Sequence, residues 1–496
     1  MPRGRKPRNL GIADAVAVAS SIVGADWLTA VREQAPLQPL SVEWACRTAL
    51  IVAVWLSALY VTGAYESRYL RMPGRSLYLT GMATLFSGAV CAGLFYLLPA
   101  WRINRLAFVA FVTLAGLLIT GNRLIWLHRH RRDEPGAVIA IGDRDLLLTV
   151  WRHSNHGARL PGTLWLVRDG EGTAAELPDL APDGSGEVRT CSVDEAKSVL
   201  AADGAVDTVI TDGIIRSEAA AELLTQASLG GALVADAFSF YELSTGKSPV
   251  FRVNGQWLFN AKTQTLSPAA LLCKRLLDLG AGLLTAVVAL PILVIASAAI
   301  VAESGFPVLY RQRRMGLRGK CFTLLKLRTM TKEAEAATGA VWSSPGDPRI
   351  TRVGEFLRRT GIDELPQLWN VLLGEMSLVG PRPERPEIVA NLRRQIPLYM
   401  QRHAVPPGIA GWAQTNHGGD TCLQDVLEKL RYDLYYAKNS SLRLDMRILL
   451  RTAQMALAGA KPPAQQCSGT DRGIAVESQP LLAAQRISRG GQEMRR

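Results

Sequence analysis

Long apolar segments constrain this chain more than any other feature of its sequence. Crossing a lipid bilayer as a helix takes about 20 predominantly apolar residues. Residues 1–132 contain three segments of about this length and a fourth, less apolar one that includes Asp14 and Asp26. The four candidates lie at about 12–31, 45–63, 77–98 and 106–127. We therefore predict that residues 1–132 form a membrane region.

The distribution of basic residues distinguishes four spans from three. With four spans, the basic segments 3–8, 68–75 and 123–132 all face the cytoplasm, whereas the opposite loops, 32–44 and 99–105, carry less positive charge. Lys and Arg are enriched in cytoplasmic loops. Three spans would put basic segments on opposite sides of the membrane. We therefore predict four spans with both flanks in the cytoplasm.

A fifth apolar segment, 276–302, has Pro291 in its middle. Proline removes a helix hydrogen bond and kinks or breaks the helix. Two structures fit this pattern: a kinked fifth span, or a helix that enters and leaves on the cytoplasmic side. A basic patch follows and by charge bias stays in the cytoplasm; it consists of Arg311, Arg313, Arg314, Arg318 and Lys320. We predict a re-entrant helix, 268–302, broken at Pro291.

The rest of the chain is expected to lie outside the membrane. β-prone runs alternate with helix-like stretches within 133–245, which predicts a Rossmann-like α/β domain with a parallel sheet. The GxGxxG fingerprint of dinucleotide sites is missing after the first run, so a structural or regulatory role is favoured over cofactor binding. A linker at 246–266 leads to a mainly helical domain at 267–460. The aperiodic tail, 461–496, is predicted to be disordered. The fold class is a membrane protein of α plus α/β structure.

The net charge of +13 favours anionic partners. A nucleic-acid binder would usually contain a recognisable reading module with a basic face, and we identify none in this sequence. Much of the basic charge lies beside apolar segments, which is typical of a protein on an anionic cytoplasmic leaflet. We therefore expect a membrane partner and no nucleic acid.

Two adjacent carboxylates, Asp363 and Glu364, precede Pro366 and an apolar helical run. Spacing alone favours a helix start, with Asp363 as the N-cap and the other two residues in the first turn. A functional interpretation is also open, because helix N-termini attract phosphate. With Arg358 and Arg359 one turn upstream, one carboxylate could be a nucleophile facing a diphosphate, and the other could hold a divalent cation.

Three further segments present basic or amide side chains. Gly380-Pro381-Arg382-Pro383 predicts a stiff loop with one guanidinium, which is suited to bidentate phosphate binding. The run 322–330 alternates like a strand and would place Lys326 and Arg328 on one face. Another rigid loop, 406–414, ends at Gln414. An ordinary turn or a solvated face remains an alternative explanation for each segment.

Taken in order behind the Pro-interrupted apolar segment, these motifs resemble the bacterial sugar transferase family, the monotopic polyprenyl-phosphate glycosyl-1-phosphate transferases. The resemblance covers about 268–460. It extends in architecture to the whole chain, because large members of the family carry four N-terminal spans and a Rossmann-like domain. The matching motifs are Lys274-Arg275-x-x-Asp278, Pro291, Lys326-x-Arg328-Thr329-Met330, Asp347-Pro348-Arg349-Ile350-Thr351, Asp363-Glu364-Leu365-Pro366-Gln367 and Gly380-Pro381-Arg382-Pro383.

The resemblance implies a transferase of the bacterial inner membrane with its catalytic domain on the cytoplasmic face. Asp363 would attack the phosphorus next to the sugar of a UDP-sugar, and UMP would leave. Undecaprenyl phosphate would then take the phosphosugar from the enzyme, which starts exopolysaccharide assembly. Glu364, the second catalytic residue, would bind Mg²⁺. The expected substrate contacts are Lys326, Arg328, Arg358, Arg382, Gln367 and Gln414. A second copy of the chain and other polysaccharide-assembly proteins are further partners to test.

The sequence departs from the family pattern at four places, which bear on the donor sugar more than on the reaction type. Leu290 stands where a serine is usual, Gly361-Ile362 replaces Ser-Leu, Pro406 replaces a basic residue, and Thr415-Asn416-His417-Gly418 replaces a segment ending in arginine. Two other functions are alternatives. One is a non-catalytic membrane scaffold or regulator of polysaccharide assembly, which the intact motifs disfavour. The other is a polytopic phosphosugar transferase, for which the chain has too few spans.

Overall fold

The computed structural model of the protein describes residues 8–34, 41–65, 73–98, 101, 103–129, 137–155, 163–167, 188–201, 206–214, 217–250, 267–331, 347–396, 398–418 and 423–458. The chain divides into two compact units, Met1–Thr245 and Gly246–Arg496. The predicted linker therefore begins inside the second unit. Its residues 251–266 and the predicted tail, 461–496, lie outside the described residues.

Four long helices occupy the predicted membrane region. They are α1 (Arg8–Glu33), α2 (Val42–Thr62), α3 (Pro73–Leu97) and α4 (Arg105–Arg129). Each contains a stretch that is long and apolar enough to cross a membrane, including the weakest candidate, α1. Their apolar core contains Trp55 and Phe111, whose ring centroids lie 5.8 Å apart. The presence of four apolar helices is confirmed, and their passage through a bilayer stays a prediction.

Buried ion pairs explain how α1 accommodates two acidic residues. Asp14 Oδ2 lies 2.8 Å from Arg123 Nη2 of α4, and both side chains are fully buried. The Tyr65 hydroxyl donates a hydrogen bond to Asp14 at 2.8 Å. Further along α1, Asp26 is paired with Arg47 of α2. Each carboxylate therefore has an arginine from a neighbouring helix, which is the condition under which buried charges are tolerated.

We expect Asp14→Leu and Arg123→Leu, made singly, each to destabilise the helical bundle by about 3–5 kcal/mol, because the partner charge is left buried and unpaired. The double variant should recover most of this loss. Thermal unfolding of the detergent-solubilised full-length chain measures all three. Additive losses in the double variant would show that the two side chains do not interact.

Residues 137–245 contain a parallel five-stranded sheet with the strand order β3-β2-β1-β4-β5. Ile139 and Val209, on the two neighbouring central strands, lie in its apolar core. The strands are β1 (Ala137–Ile141), β2 (Leu164–Val167), β3 (Val188–Cys191), β4 (Val206–Thr211) and β5 (Leu233–Asp236), and the helices are α5 (Arg144–Asn155), α6 (Val193–Ala201), α7 (Glu218–Leu229) and α8 (Ala237–Thr245). The predicted α/β region with a parallel sheet is confirmed.

The turn after β1 is occupied by a side chain of the domain itself. In a doubly wound sheet, phosphate binds at the first strand-to-helix turn, where the strand order reverses. Here Asp212, directly after β4, accepts the Asp143 N–H at 2.8 Å. Gly142 has a φ of +132°, and a Cβ there would lie 2.3 Å from Asp212 Cγ. The carboxylate therefore takes the N–H that a phosphate would use. The role of the domain stays a prediction.

The second unit contains α9 (Pro268–Ser304), a helix of 37 residues. The Ser267 hydroxyl accepts the Ala270 N–H and caps its start. Pro291 lies inside α9, and the helix is continuous through it. Ala289, from the middle of α9, is buried in one apolar core with Leu324 and Leu368. The long apolar helix is confirmed, whereas the predicted break at Pro291 is not confirmed and the re-entrant path stays a prediction.

The second unit contains further elements besides α9. They comprise the antiparallel hairpin of β6 (Leu309–Met315) and β7 (Cys321–Leu327), the parallel pair of β8 (Ser377–Val379) and β9 (Gly408–Ala410), and the helices α10 (Arg352–Thr360), α11 (Gln367–Leu373), α12 (Pro386–Gln395), α13 (Trp412–Asn416), α14 (Leu423–Asn439) and α15 (Leu442–Ala458). Short 3₁₀ turns lie at Leu317–Gly319, Ile362–Glu364 and Tyr399–Ala404. The described part of 267–460 is thus mainly helical.

Candidate active site

The predicted acidic pair lies in a tight turn between two short helices. After α10, Gly361 adopts a left-handed φ of +73°, and Asp363 and Glu364 follow in a 3₁₀ turn. Helix α11 begins at Gln367, with Pro366 at its N-cap position. The interpretation of Asp363 as an N-cap is therefore wrong, because the chain makes an extra turn first. This turn buries Asp363, which is 7% exposed.

Two cations from distant segments hold the Glu364 carboxylate. Its Oε1 lies 2.8 Å from Lys326 Nζ and 2.5 Å from Arg382 Nη2, and its Oε2 accepts a bond from Arg382 Nη1 at 3.2 Å. Burial by itself would raise the pKa of Glu364, but Arg382 and Lys326 hold that pKa well below its usual range. Glu364 therefore stays ionised and connects β7, the acidic turn and the loop after β8.

The pKa of the neighbouring Asp363 carboxyl is shifted in the opposite direction to that of Glu364. Burial raises its pKa above the ordinary value, and the negative charge of Glu364 adds to the rise. Lys326, Arg382 and Arg358 oppose this rise with their positive charges. Asp363 is thus a poorly solvated carboxylate with three cations nearby. Such a group suits nucleophilic attack on a phosphorus atom whose oxygens those cations neutralise.

Helix α10, which carries Arg358, is attached to the end of α9. The Glu303 carboxylate of α9 accepts the Arg352 N–H at 2.8 Å, at the first residue of α10. A Cβ at Gly354 would lie 2.1 Å from the Thr329 carbonyl oxygen, so only glycine permits this approach. One turn later, Arg358 Nε donates to Thr329 Oγ1 at 2.9 Å. These contacts fix the direction of the Arg358 side chain.

The loop that presents Arg382 depends on a close backbone approach and on a buried ion pair. A Cβ at Gly380 would lie 2.2 Å from the Pro406 carbonyl oxygen, so β8 and β9 meet without room for a side chain. Arg402 Nη2 donates to the Arg382 carbonyl at 3.0 Å. Arg402 is itself paired with Asp433 at 2.7 Å, and both side chains are buried. The backbone at Arg382 is therefore held from two directions.

Arg328 lies apart from the cations at Glu364. The two side chains that were expected on one face have different partners: Lys326 binds Glu364, whereas Arg328 comes directly after the end of β7 at Leu327. Arg328 Nη2 instead donates to the carbonyl and hydroxyl oxygens of Ser304, at 2.9 and 2.7 Å, at the C-terminal end of α9. A role for Arg328 in substrate binding stays a prediction.

The two predicted glutamines occupy different elements. Gln367 is buried at the start of α11, three residues after Glu364. Gln414 lies on α13, and its Nε2 donates to the Ile409 carbonyl at 3.2 Å. Its Oε1 is buried and has no hydrogen-bond partner among the described residues. Their contacts with substrate stay predictions.

No function was predicted for Lys274 and Asp278, two polar residues of α9 that bind α15 and β8. Lys274 Nζ lies 2.7 Å from Asp445 Oδ2 of α15. One turn later, Asp278 Oδ1 accepts the Leu378 N–H at 3.0 Å. The spacing of four residues, which puts Lys274 and Asp278 on one helix face, is the signal that could have indicated a shared role. The Arg402–Asp433 pair left no such signal in the sequence.

Comparison with known proteins places this site in a family. Residues 269–459 match the family model described as bacterial sugar transferase. An uncharacterized sugar transferase of Bacillus subtilis (strain 168) is 39% identical over 191 residues, covering 38% of this chain and 88% of that protein. The chain belongs to the bacterial sugar transferase family.

Two further relatives of this chain have names that state a reaction. A UDP-glucose:undecaprenyl-phosphate glucose-1-phosphate transferase of Caulobacter vibrioides (strain ATCC 19089 / CIP 103742 / CB 15) is 44% identical over 187 residues, 37% of this chain and 69% of that protein. A UDP-N-acetylgalactosamine-undecaprenyl-phosphate N-acetylgalactosaminephosphotransferase of Aeromonas hydrophila is 45% identical over 184 residues. That match covers 36% of this chain and 43% of the relative, so the chain spans less than half of the relative's length.

The acidic turn of this chain, which contains Asp363 and Glu364, offers few metal ligands. Within the described residues, no three His, Cys, Asp or Glu side chains come together in a group that could hold a metal ion. The adjacent carboxylates are Asp363 and Glu364, and Glu364 is already bound by two cations. Mg²⁺ is commonly held by one or two carboxylates together with substrate phosphates and water. Mg²⁺ at the acidic turn therefore stays a prediction, in which a phosphorylated substrate would supply the missing ligands.

We expect Gly380→Ala to lower the unfolding temperature of the protein, because the added methyl group would force β8 and β9 apart. Overpacking of this kind costs about 1–3 kcal/mol. The control is Gly280→Ala, where a Cβ meets no atom within 4 Å. Thermal unfolding of both variants tests this expectation, and an unchanged unfolding temperature for Gly380→Ala would contradict the close approach.

Proposed function

We propose that this chain transfers a hexose-1-phosphate from a UDP-sugar to undecaprenyl phosphate and releases UMP. The observation that carries the proposal is the buried Asp363, which lies beside the Glu364 ion-pair cluster with Lys326, Arg382 and Arg358 as neighbouring cations. The names of the C. vibrioides and A. hydrophila relatives, which match over the same region, support this reaction type.

In the proposed first step, a carboxylate oxygen of Asp363 attacks the phosphorus attached to the sugar. A bond forms between these two atoms, the bond from phosphorus to the bridging oxygen of the diphosphate breaks, and UMP leaves with the electron pair. In the second step, a phosphate oxygen of undecaprenyl phosphate attacks the same phosphorus. The acyl-phosphate bond then breaks and restores the Asp363 carboxylate.

The three cations near Asp363 would neutralise charge on the transferring phosphoryl group. Arg382 and Lys326 together carry two positive charges against the single negative charge of Glu364, which leaves a net positive charge beside Asp363. The guanidinium of Arg382 is planar, and the ammonium of Lys326 is a compact point charge. Arg358 is directed by its bond to Thr329. Charge neutralisation and positioning supply most of the catalysis in phosphoryl transfer, and they act more strongly in a buried site than in water.

The attachments of α9 support a re-entrant path through the membrane. Its first half is bound to the folded domain through Lys274 and Asp445, and its last turn through Glu303 and Arg352. The middle of α9 contributes Ala289 to the core of the same domain. A helix that crossed the bilayer from side to side would not keep both of its ends against a domain on one side.

Exposed apolar side chains support placement of the acidic turn at the membrane surface. Leu284 and Ile295 project outward from α9, and Phe356 of α10 with Trp369 and Leu373 of α11 continue the apolar character on both sides of the acidic turn. Tryptophan is enriched at membrane–water interfaces. In this position a lipid phosphate and a soluble nucleotide could both reach Asp363.

The cellular setting is part of the same proposal. The basic flanks of the N-terminal helices favour the inner membrane, with the catalytic domain on the cytoplasmic face. The transfer would start exopolysaccharide assembly, because it loads the first sugar on a lipid carrier. Glu364, together with the donor phosphates, would hold Mg²⁺, which when bound supplies Lewis-acid neutralisation of phosphate charge.

We expect Asp363→Asn to abolish UMP release and labelling of the protein by a UDP-[¹⁴C]sugar in the absence of lipid, because the amide cannot form the acyl phosphate. The measurement uses the full-length protein in lipid nanodiscs with a panel of UDP-sugars. Glu355→Gln is the control, since it removes one negative charge from an exposed position of α10. Retained turnover in Asp363→Asn would exclude this nucleophile, and no UMP release from the unmodified chain with any donor would exclude the reaction.

We expect chelation of divalent cations with EDTA to stop UMP release, and added Mg²⁺ to restore it. Glu364→Gln should require a higher Mg²⁺ concentration, because it removes one of the two carboxylates at the turn. A Mg²⁺ titration of UMP release on both proteins measures this difference. Full turnover in EDTA would rule out the proposed cofactor.

A further inference from the structure

The first residues of the second unit pack against its helices α13 and α14. We call residues 246–250 the strap. The Gly246 carbonyl accepts the Trp412 Nε1–H at 2.8 Å. Lys247 forms an ion pair with Glu428 of α14. The N–H of the fully buried Ser248 donates to a backbone carbonyl of α14 at 2.9 Å. The start of the predicted linker is therefore a specific packed segment.

Trp412, where the strap meets α13, is itself fixed in place. Its ring lies against Tyr435, with the centroids 6.2 Å apart, and the Arg451 guanidinium lies 6.0 Å from its ring centroid. Its carbonyl accepts a bond from Asn416 Nδ2 at 2.7 Å. Gly246 has a φ of +70°, and a Cβ there would lie 3.2 Å from the Trp412 ring. The close approach of the strap therefore requires glycine at position 246.

Helix α13 connects this contact with two side chains of the candidate site. It carries Gln414, and the strand before it supports the Arg382 loop. The Ala410 carbonyl accepts the Gly380 N–H at 2.9 Å, two residues before Arg382. A Cβ at Gly411 would lie 2.8 Å from both the Gly380 carbonyl oxygen and Gln414 Oε1. A shift of Trp412 would therefore reach both side chains through short contacts.

We propose that the strap is a positioning element for donor binding, which acts through Trp412 on the segments that hold Gln414 and Arg382. The inference rests on the proposed function, in which these two side chains contact the UDP-sugar. Lys326 and Arg358, the other cations near Asp363, come from β7 and α10, which the strap does not touch in the contacts described above. Displacing the strap therefore changes donor binding more than the chemical step.

The test measures KM and kcat for the UDP-sugar with two variants of the full-length protein in nanodiscs. Trp412→Phe keeps an aromatic ring and removes the donor to Gly246. Gly246→Ala leaves the catalytic residues unchanged and pushes the strap off Trp412. Each should raise the donor KM about 2- to 10-fold, the range expected for one net hydrogen bond. The KM for undecaprenyl phosphate should stay unchanged.

Gly231→Ala is the matched control, because Gly231 also has a positive φ, +86°, but a Cβ there meets no atom within 4 Å. If both strap variants match this control in donor KM while the unmodified chain releases UMP, the inference fails and the proposed function stands. A fall in kcat and unfolding temperature at constant KM would also overturn it, since that marks a merely structural contact. Absence of UMP release from the unmodified chain would overturn the proposed function and this inference with it.

Discussion

The Glu364 carboxylate bridges Lys326 and Arg382, and the rest of the site depends on this bridge. The lysine lies 38 residues before Glu364 and the arginine 18 residues after it. A half-buried carboxylate with two cations is stable only when all three groups are present, because each alone would be a poorly solvated charge. The same bridge brings the two cations close to Asp363, whose carboxyl is buried beside them. The same charged groups therefore stabilise the site and surround the proposed nucleophile.

Helix α9 provides the second constraint, because this long apolar helix packs directly against the segments that carry the site. Glu303 caps α10, Ser304 binds Arg328, and Asp278 holds β8. The segments bearing Arg358 and Arg382 are thus oriented from opposite ends of the same helix. Because Ala289 also lies in the domain core, α9 is a structural part of the domain and not a detachable anchor.

The length of the apolar segments and the alternation of β-prone with helix-like stretches predicted the large elements well, because both patterns reflect burial. They indicate the four apolar helices and the parallel sheet, even though α1 contains Asp14 and Asp26. Local details were less predictable. Asp363 is not an N-cap, because the left-handed Gly361 inserts a turn that spacing does not reveal. The strand-like alternation predicted for residues 322–330 does not continue as a strand through Arg328, because β7 ends at Leu327.

Partners far apart in the sequence could not be predicted at all. The pairing of Arg402 with Asp433 supports the loop at Arg382, yet neither residue lies in a motif with a recognisable spacing. The same holds for Gly246, whose role depends on the Trp412 ring that lies against it. Such contacts follow from the packing of whole elements, and single-sequence patterns contain no record of them.

The buried pair of Asp14 and Arg123 has a consequence for how the N-terminal bundle is made. Asp14 lies on the first of the four helices to be synthesised, and its arginine lies on the last. In the proposed membrane setting, an unpaired carboxylate within the bilayer costs several kcal/mol. The first helix therefore becomes fully stable only after the fourth has emerged from the ribosome. An incomplete bundle keeps a polar defect in contact with lipid, which is a feature that membrane quality-control proteases can recognise.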